Sequence, residues 1–266
     1  EFPKQELDSI DLVDYTSFAF KDNHTIWYKE QHDKWNEPEK ITITSKNEYG
    51  PPVTLKIHES LYASIRQANL KDCSPMHLIK KAGNELQCEI YKDKMALPYE
   101  TPWRTITTVK NAEDLITSSL LLNLNDAPTG DFSWVKTGIG FWDWRVRGGT
   151  IGGHTYCDDD LTTECMKHFI DKASEMGVDY FTVDANWYGN EFIPESNPFT
   201  DKPKLDIQEV IQYGKKKNIG VWLYINDIAL RNYDKEKLLQ TYHEWGAVGI
   251  KHGFLKGQGA EKVQHA

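Results

Sequence analysis

Two hydrophobic periods divide the chain. Up to about residue 98, β-branched and aromatic side chains alternate with polar ones, the period of a half-buried strand. Ser17 to Tyr28, Lys40 to Ser45 and Pro51 to His58 carry this alternation, with turn clusters such as Asn47-Glu48-Tyr49-Gly50-Pro51-Pro52 between them. Met76 to Ile79 and Leu86 to Tyr91 add two short strands around Lys81-Ala82-Gly83-Asn84. The pattern predicts that residues 1–98 are the carboxyl-terminal part of a β-sandwich. Residues 99–136 read as a connector, with a short helix over Glu113 to Leu120 capped by Asn111, then a loop rich in Asn, Asp, Pro and Gly from Asn123 to Asp131.

From 137 the period changes. Ile139 to Arg145 is a strand with three aromatics. Thr162 to Met176 places Cys165, Phe169, Ile170 and Ala173 at helical spacing and stops at Gly177. Asp179 to Trp187 is a strand and Leu205 to Lys217 a helix, stopped by Asn218-Ile219-Gly220. Val221 to Ile225 is a strand, Lys235 to Trp245 a helix ended by Gly246, and Ala247 to Leu255 a strand. Strands that alternate with helices predict a parallel sheet joined by right-handed crossovers. A closed (β/α)8 TIM barrel needs about 250 residues, so residues 137–266 are expected to be its first half, about four βα units. The open strand edges then need cover, from the remainder of the same barrel or from a second chain. A complete doubly wound sheet is the alternative. Against it, Gly148-Gly149 and Gly152-Gly153 lack the GxGxxG spacing of a phosphate loop.

Composition narrows the partners. The formal net charge of the 266 residues is −9, which argues against a nucleic-acid backbone as main partner. Apolar runs fall far short of the ~20 residues of a membrane helix. The chain opens Glu1-Phe2, without Met, and reads as part of a longer protein. Cys73, Cys88, Cys157 and Cys165 are too few and too spread for a disulfide scaffold. The pairs 73/88 and 157/165 suit bridges in an oxidising compartment, and buried thiols are the favoured reading.

The chemistry is expected at the carboxyl ends of the parallel strands. These ends read Phe141-Trp142-Asp143-Trp144-Arg145, Asp184-Ala185-Asn186-Trp187-Tyr188, Tyr224-Ile225-Asn226-Asp227 and Lys251-His252-Gly253-Phe254. Rings that stack on apolar sugar faces, with carboxylates gripping hydroxyls, are what a carbohydrate site needs. Trp142, Trp144, Asp184, Asn186, Lys251 and His252 are therefore the candidate substrate-binding residues. Core packing is the competing role for Trp142, a structural ion pair for Lys251. Glycoside hydrolysis needs two carboxyl groups across the scissile bond, and Asp227 and Glu261 are candidates, with solvated loop acids as the alternative. Asp158-Asp159-Asp160 lacks the alternation of a Ca2+ loop and reads as a helix cap.

These residues resemble glycoside hydrolase family 97, known for α-glucosidases and α-galactosidases. Thr101-Pro102-Trp103-Arg104 is similar to the family's domain junction, and Asp131-Phe132-Ser133-Trp134-Val135-Lys136-Thr137-Gly138 with Trp142-Asp143-Trp144 to its approach to barrel strand one. Val183-Asp184-Ala185-Asn186-Trp187-Tyr188-Gly189 and Gly249-Ile250-Lys251-His252-Gly253-Phe254 resemble the ends of strands two and four. The resemblance implies an amino-terminal β-super-sandwich, a (β/α)8 catalytic barrel, a periplasmic or secreted location and a Ca2+ beside the substrate. Ile57-His58-Glu59-Ser60 looks like the sandwich segment that supplies a metal ligand, so Glu59 is the expected one.

The departures are informative. Retaining members place an Asp nucleophile at the end of strand four, where this chain has Gly253, and glycine cannot attack an anomeric carbon. Inverting members also carry Gly there and use Glu bases elsewhere, one near the end of strand three, where this chain offers Asn226-Asp227. The expected function is thus a Ca2+-dependent, inverting α-glycosidase acting on oligosaccharides, with residues 1–266 inactive alone. The rival is a carbohydrate-binding or degenerate relative without hydrolysis.

Overall fold

The computed structural model describes residues 1–29, 39–40, 48–91, 93–148, 150–151, 154–155, 161–257 and 259–265. Residues 41–45 of the strand expected over Lys40 to Ser45, the acidic run Asp158-Asp159-Asp160, and Gly149, Gly152, Gly153 and Cys157 lie outside these residues. The chain divides into two compact units, Glu1–Gly130 with Gly257–Ala266, and Asp131–Lys256.

The first unit is antiparallel β-structure. Its strands are β1 (Ser9–Leu12), β2 (Ser17–Ala19), β3 (Thr25–Lys29), β4 (Glu39–Lys40), β5 (Glu48–His58), β6 (Leu61–Ala68), β7 (His77–Lys80), β8 (Glu85–Glu89), β9 (Asp93–Ala96) and β10 (Trp103–Val109). One sheet runs β10-β6-β5-β7-β8-β2, with β3 beside β5 and β4 beside β3, and β1 pairs with β9 separately. The long strand β5 couples the sheet's halves, since its start pairs with β7 and its end with β6. The alternation read from the sequence sends Tyr49, Val53 and Leu55 inward, where they pack with Ile26, Tyr28, Ile65, Leu78 and Leu86. Tyr28 meets Tyr49 edge to face at 4.5 Å.

Two features depart from the sequence pattern. The single strand expected over Ser17 to Tyr28 is two strands, β2 and β3, on different partners. The expected connector contains β10, whose seven residues pair along β6 from Trp103↔Ala68 to Val109↔Tyr62. The polar threonines of β10 hid it, because an edge strand buries one face only. Two short helices come next, α1 (Asp114–Thr117) and α2 (Leu120–Asn123).

The second unit holds the parallel sheet. Strand β11 (Gly140–Trp142) ends in a 3-10 turn over Asp143–Arg145, and β12 (Thr150–Ile151) pairs with β13 (His154–Thr155). Then come α3 (Thr163–Glu175), β14 (Tyr180–Val183), α4 (Ile207–Lys216), β15 (Gly220–Asn226), α5 (Asp227–Asn232), α6 (Lys235–Trp245) and β16 (Gly249–Gly253). The sheet order β11-β14-β15-β16 follows the chain and every pairing is parallel. A seventh helix, α7 (Gly259–His265), falls with the first unit, where Ala260 joins its apolar core.

The helix starts are written locally. Thr162, Asp206 and Asp234 precede α3, α4 and α6, and each side chain accepts a backbone N–H three residues on. Gly246 ends α6 at φ 96°, a left-handed cap that glycine adopts without a Cβ clash. The apolar faces of α3, α4 and α6 bury Phe169, Ile170, Val210, Ile211, Leu238 and Tyr242 against Phe181, Val183, Leu223 and Ile225 of the sheet. Each such aliphatic or aromatic burial contributes roughly 1.5–3 kcal/mol. Gly214 is required for this packing, since a Cβ there would stand 2.7 Å from Val221.

Cys73 and Cys88 are buried thiols outside any disulfide, as expected. Cys165 is instead disulfide-bonded, so the thiol expectation is corrected there. Its partner lies outside the described residues.

Candidate functional site

Adjacent residues of a strand face opposite sides of its sheet. That parity sorts the residues at the carboxyl ends of β11, β14, β15 and β16 into two clusters.

The first cluster is centred on Asp184, the residue after β14. Its Oδ1 accepts the N–H of Ala185 at 2.7 Å, which leaves Oδ2 for Trp142 Nε1 and for Lys251 Nζ at 2.5 Å. The Lys251 ammonium also lies 4.0 Å from the centroid of the Trp142 ring and 5.5 Å from that of Tyr224. Cation–π attraction and an ion pair thus hold one lysine between an indole and a carboxylate. Asp184 is buried, while Trp142 and Lys251 are half-buried. The cluster offers an indole, an ammonium and a carboxylate on three strands.

A buried frame supports it. Asp143 is fully buried and accepts Arg147 Nη2 and Nε at 2.6 and 2.8 Å and the Asp184 N–H at 3.0 Å. Burial pushes its carboxyl up to about 6, against the pull of Arg147. Arg147 also donates to the Ala185 carbonyl at 2.7 Å, so one ion pair fixes the turn that carries Asp184.

Asn186 has φ +69°, a left-handed conformation that asparagine tolerates better than most residues. Its N–H donates to Glu191 Oε2 at 2.9 Å, and its amide, turned to pair donor with acceptor, donates to the same oxygen at 2.8 Å. Glu191 is itself buried, and burial raises its carboxyl above the usual range, with backbone hydrogen bonds from Glu191 and Asn186 pulling the other way. Sequence reading missed Glu191. Its only signal is one acid among several in the long loop after β14.

The Gly253 position is closed. A Cβ there would lie 2.5 Å from Tyr224 Cε2 and 2.9 Å from its hydroxyl, whose oxygen accepts Asn226 Nδ2 at 3.3 Å. The Tyr224 ring fills the space that any larger side chain at 253 would need.

The second cluster is centred on Asp227, the residue after β15 and the first of α5. It is fully buried and accepts His252 Nε2 at 3.0 Å, Arg231 Nε at 2.7 Å and the Lys256 N–H at 3.0 Å. His252 follows Lys251 and turns to the other face, so the structure joins it to Asp227 rather than to Trp142, Asp184 and Lys251. Trp144 stands apart on the 3-10 turn, half exposed, with the Arg147 guanidinium 5.8 Å from its ring centroid.

The remaining predicted residues lie in the first unit. Glu261 is on α7 and exposed, its carboxylate near Gly257. Glu59 sits at the turn between β5 and β6, its side chain 93% exposed, held by Lys56 Nζ at 2.9 and 3.0 Å.

Residues 142–266 match the model of Glycoside hydrolase 97, and residues 1–127 match Glycosyl-hydrolase 97 N-terminal. Together these two matches cover most of the chain and place it among the glycoside hydrolase families. The chain is 26% identical over 279 residues to a retaining alpha-galactosidase of Bacteroides thetaiotaomicron, across 96% of this chain and 41% of that protein. It is 27% identical over 177 residues to a probable retaining alpha-galactosidase of Streptomyces bingchenggensis, across 62% of this chain and 25% of that protein. Among solved structures, a family 97 enzyme from Pseudoalteromonas sp. strain K8 in complex with acarbose superposes with a TM-score of 0.81 at 24% identity, covering 99% of this chain and 46% of that one. The chain belongs to glycoside hydrolase family 97. It spans less than half the length of these relatives.

Proposed function

We propose that this chain is part of an α-glycosidase acting on α-linked galactosides or glucosides, and that Trp142, Asp184 and Lys251 hold the sugar ring. The observation that carries this reading is the cluster of three side chains from β11, the residue after β14, and β16. The indole offers a flat apolar face, the carboxylate accepts from sugar hydroxyls, and the ammonium donates to them. Asn186 and Trp144 are expected at the edge of the same site. The sheet is read as the first part of a (β/α)8 barrel whose remaining strands cover the edges of β11 and β16.

The proposed outcome is inversion, on the strength of Gly253 and the Tyr224 ring. Double displacement needs a carboxylate that attacks the anomeric carbon, and position 253 has neither the group nor the room. Water is then the nucleophile, activated by a carboxylate, while a second carboxyl protonates the leaving oxygen. Asp227 and Glu261 were the candidates from sequence. Asp227 is committed to Arg231, His252 and Lys256, and Glu261 is an exposed acid in the first turn of α7. The acid and base are therefore proposed to come from residues beyond this chain, and 1–266 to be inactive alone. The packing at Gly253 also suits the second reading, a relative that binds saccharide without cleaving it.

Ca2+ takes about six to eight oxygen ligands. Glu59 has the right hard-oxygen chemistry and a solvent-facing carboxylate, but supplies one residue only. Glu59 is proposed as one ligand, with the others outside the described residues, and no step above runs through the ion. The disulfide at Cys165 supports a periplasmic or secreted location. The test is turnover of aryl α-galactosides and α-glucosides by the full-length protein, with the product anomer read by NMR. Inverted product, lost in Lys251→Ala, is expected. Retained product overturns the inverting step, and saccharide binding without turnover selects the second reading.

A further inference from the structure

We propose that Glu48, His77 and Glu89 form a surface site for a borderline divalent transition-metal ion, of the Zn2+ class, unrelated to the glycosidase chemistry. The three residues lie on β5, β7 and β8, and β7 runs between the other two. His77 and Glu89 are direct cross-strand partners. Glu48 stands opposite Ile79, two residues from His77 and so on the same outward face. Tyr49, Leu78 and Cys88 take the inward face. One ligand atom from each of the three residues comes within 4.8 Å of the others, and His77 Nε2 lies 2.9 Å from Glu89 Oε2.

The charge arrangement calls for a cation. Like charges brought close repel, and across β7 one ligand atom of each carboxylate lies within 4.8 Å of the other and of the imidazole. No lysine or arginine among the described residues is ion-paired with Glu48 or Glu89. The His77–Glu89 contact answers one carboxylate and leaves the other. An ion held by all three answers both.

The donor set names the class. One imidazole nitrogen and two carboxylates suit Zn2+ and its neighbours, with an open position for water. A site for Ca2+ would be built of oxygen alone. Binding replaces the His77–Glu89 hydrogen bond by bonds from the ion to Nε2 and to the carboxylate. The imidazole proton then resides on Nδ1. Strand pairing holds the backbone of all three residues, and the Tyr91 ring packs near the imidazole at 6.2 Å.

The experiment is calorimetric titration of Zn2+ into chelator-treated chain 1–266, repeated with His77→Gln, Glu89→Gln and Glu48→Gln. Circular dichroism checks that each variant folds, as expected for outward-facing positions. One ion per chain is expected, with affinity at least tenfold weaker in His77→Gln and Glu89→Gln and weaker in Glu48→Gln. Millimolar Ca2+ is expected not to displace it. Absence of saturable binding, or binding of unchanged affinity in both His77→Gln and Glu89→Gln, overturns the proposal. So does displacement by Ca2+.

Discussion

Asp184 and Asp227 occupy the same station on neighbouring strands. Each is the first residue past the strand's end, each is buried, and each meets a basic side chain. Their surroundings differ because the next segment of the chain is a helix in one case and a loop in the other. Asp227 opens α5 at once, so its carboxylate is turned into that helix's first turn and sealed by Arg231, His252 and Lys256. Asp184 opens a long loop before α4, so its outer oxygen stays with Trp142 and Lys251. The station is necessary for a site but does not select the site residue. Loop length after the strand and strand parity do.

The largest expected effect tests the sealed carboxylate. Asp227→Ala leaves a partly buried guanidinium, an imidazole and a backbone N–H without their shared acceptor. Removal of one partner of a buried pair costs about 3–5 kcal/mol. Urea unfolding of 1–266 is expected to show a loss in that range for the transition of the second unit. A loss under about 1 kcal/mol would mean that these contacts do not hold the second unit together, and would return Asp227 to the candidates for catalysis.

Next is Asp184, whose side-chain partners are Trp142 and Lys251. Asp184→Asn keeps a hydrogen-bond acceptor but removes the charge facing Lys251. A stability change of only about 1 kcal/mol is expected. Saccharide affinity or kcat/KM of the full-length protein is expected to fall about 100-fold, the size of a lost charge-assisted contact of roughly 2–3 kcal/mol. If stability falls as far as for Asp227→Ala while activity survives, Asp184 is a structural residue and the comparison inverts.

A smaller effect probes the closed position between the two. Gly253→Ala forces a Cβ against Tyr224, and overpacking of this kind costs about 1–3 kcal/mol. In a Tyr224→Ala background the same step is expected to cost far less. The double-mutant cycle reads the coupling directly. Additive effects would mean that Tyr224 does not exclude a side chain at 253.

The sequence showed the scaffold of this comparison better than its chemistry. The helix expected at Lys235 to Trp245 matches α6, because Asp234 caps it and Gly246 ends it. Strand order followed from the alternation of periods. Strand ends were less legible: the strand expected over Asp179 to Trp187 stops at Val183, because Asp184 Oδ1 accepts the Ala185 N–H and Glu191 accepts that of Asn186, which turns the chain. Helix α5 was missed because its cap, Asn226, lies inside an apolar strand pattern. The segments naming Trp142, Asp184 and Lys251 were legible, and so was the glycine at 253. The pairing of His252 with Asp227 was not, because it depends on parity at a strand end and on a helix that the pattern hid. Glu191 was equally invisible, since burial of a single loop acid leaves no periodic trace.

Glu191 gives the finest test, because it stiffens the loop after Asp184 without being sealed by a charged partner. Burial raises its folded-state pKa above that of the unfolded chain. Between those two values the folded state holds the extra proton. The contribution of this carboxyl to stability is therefore fully present below the unfolded pKa and is lost as pH rises through the folded one. Glu191→Gln keeps an acceptor for the Asn186 N–H and removes the titration. The stability of Glu191→Gln relative to the parent is expected to improve as pH rises through that window, by up to about 1 kcal/mol, and to be flat above it. The opposite slope would mean that the charged form is the one the loop stabilises, and Glu191 would then belong with Asp227 as a sealed anion rather than beside Asp184 at the open end of the sheet.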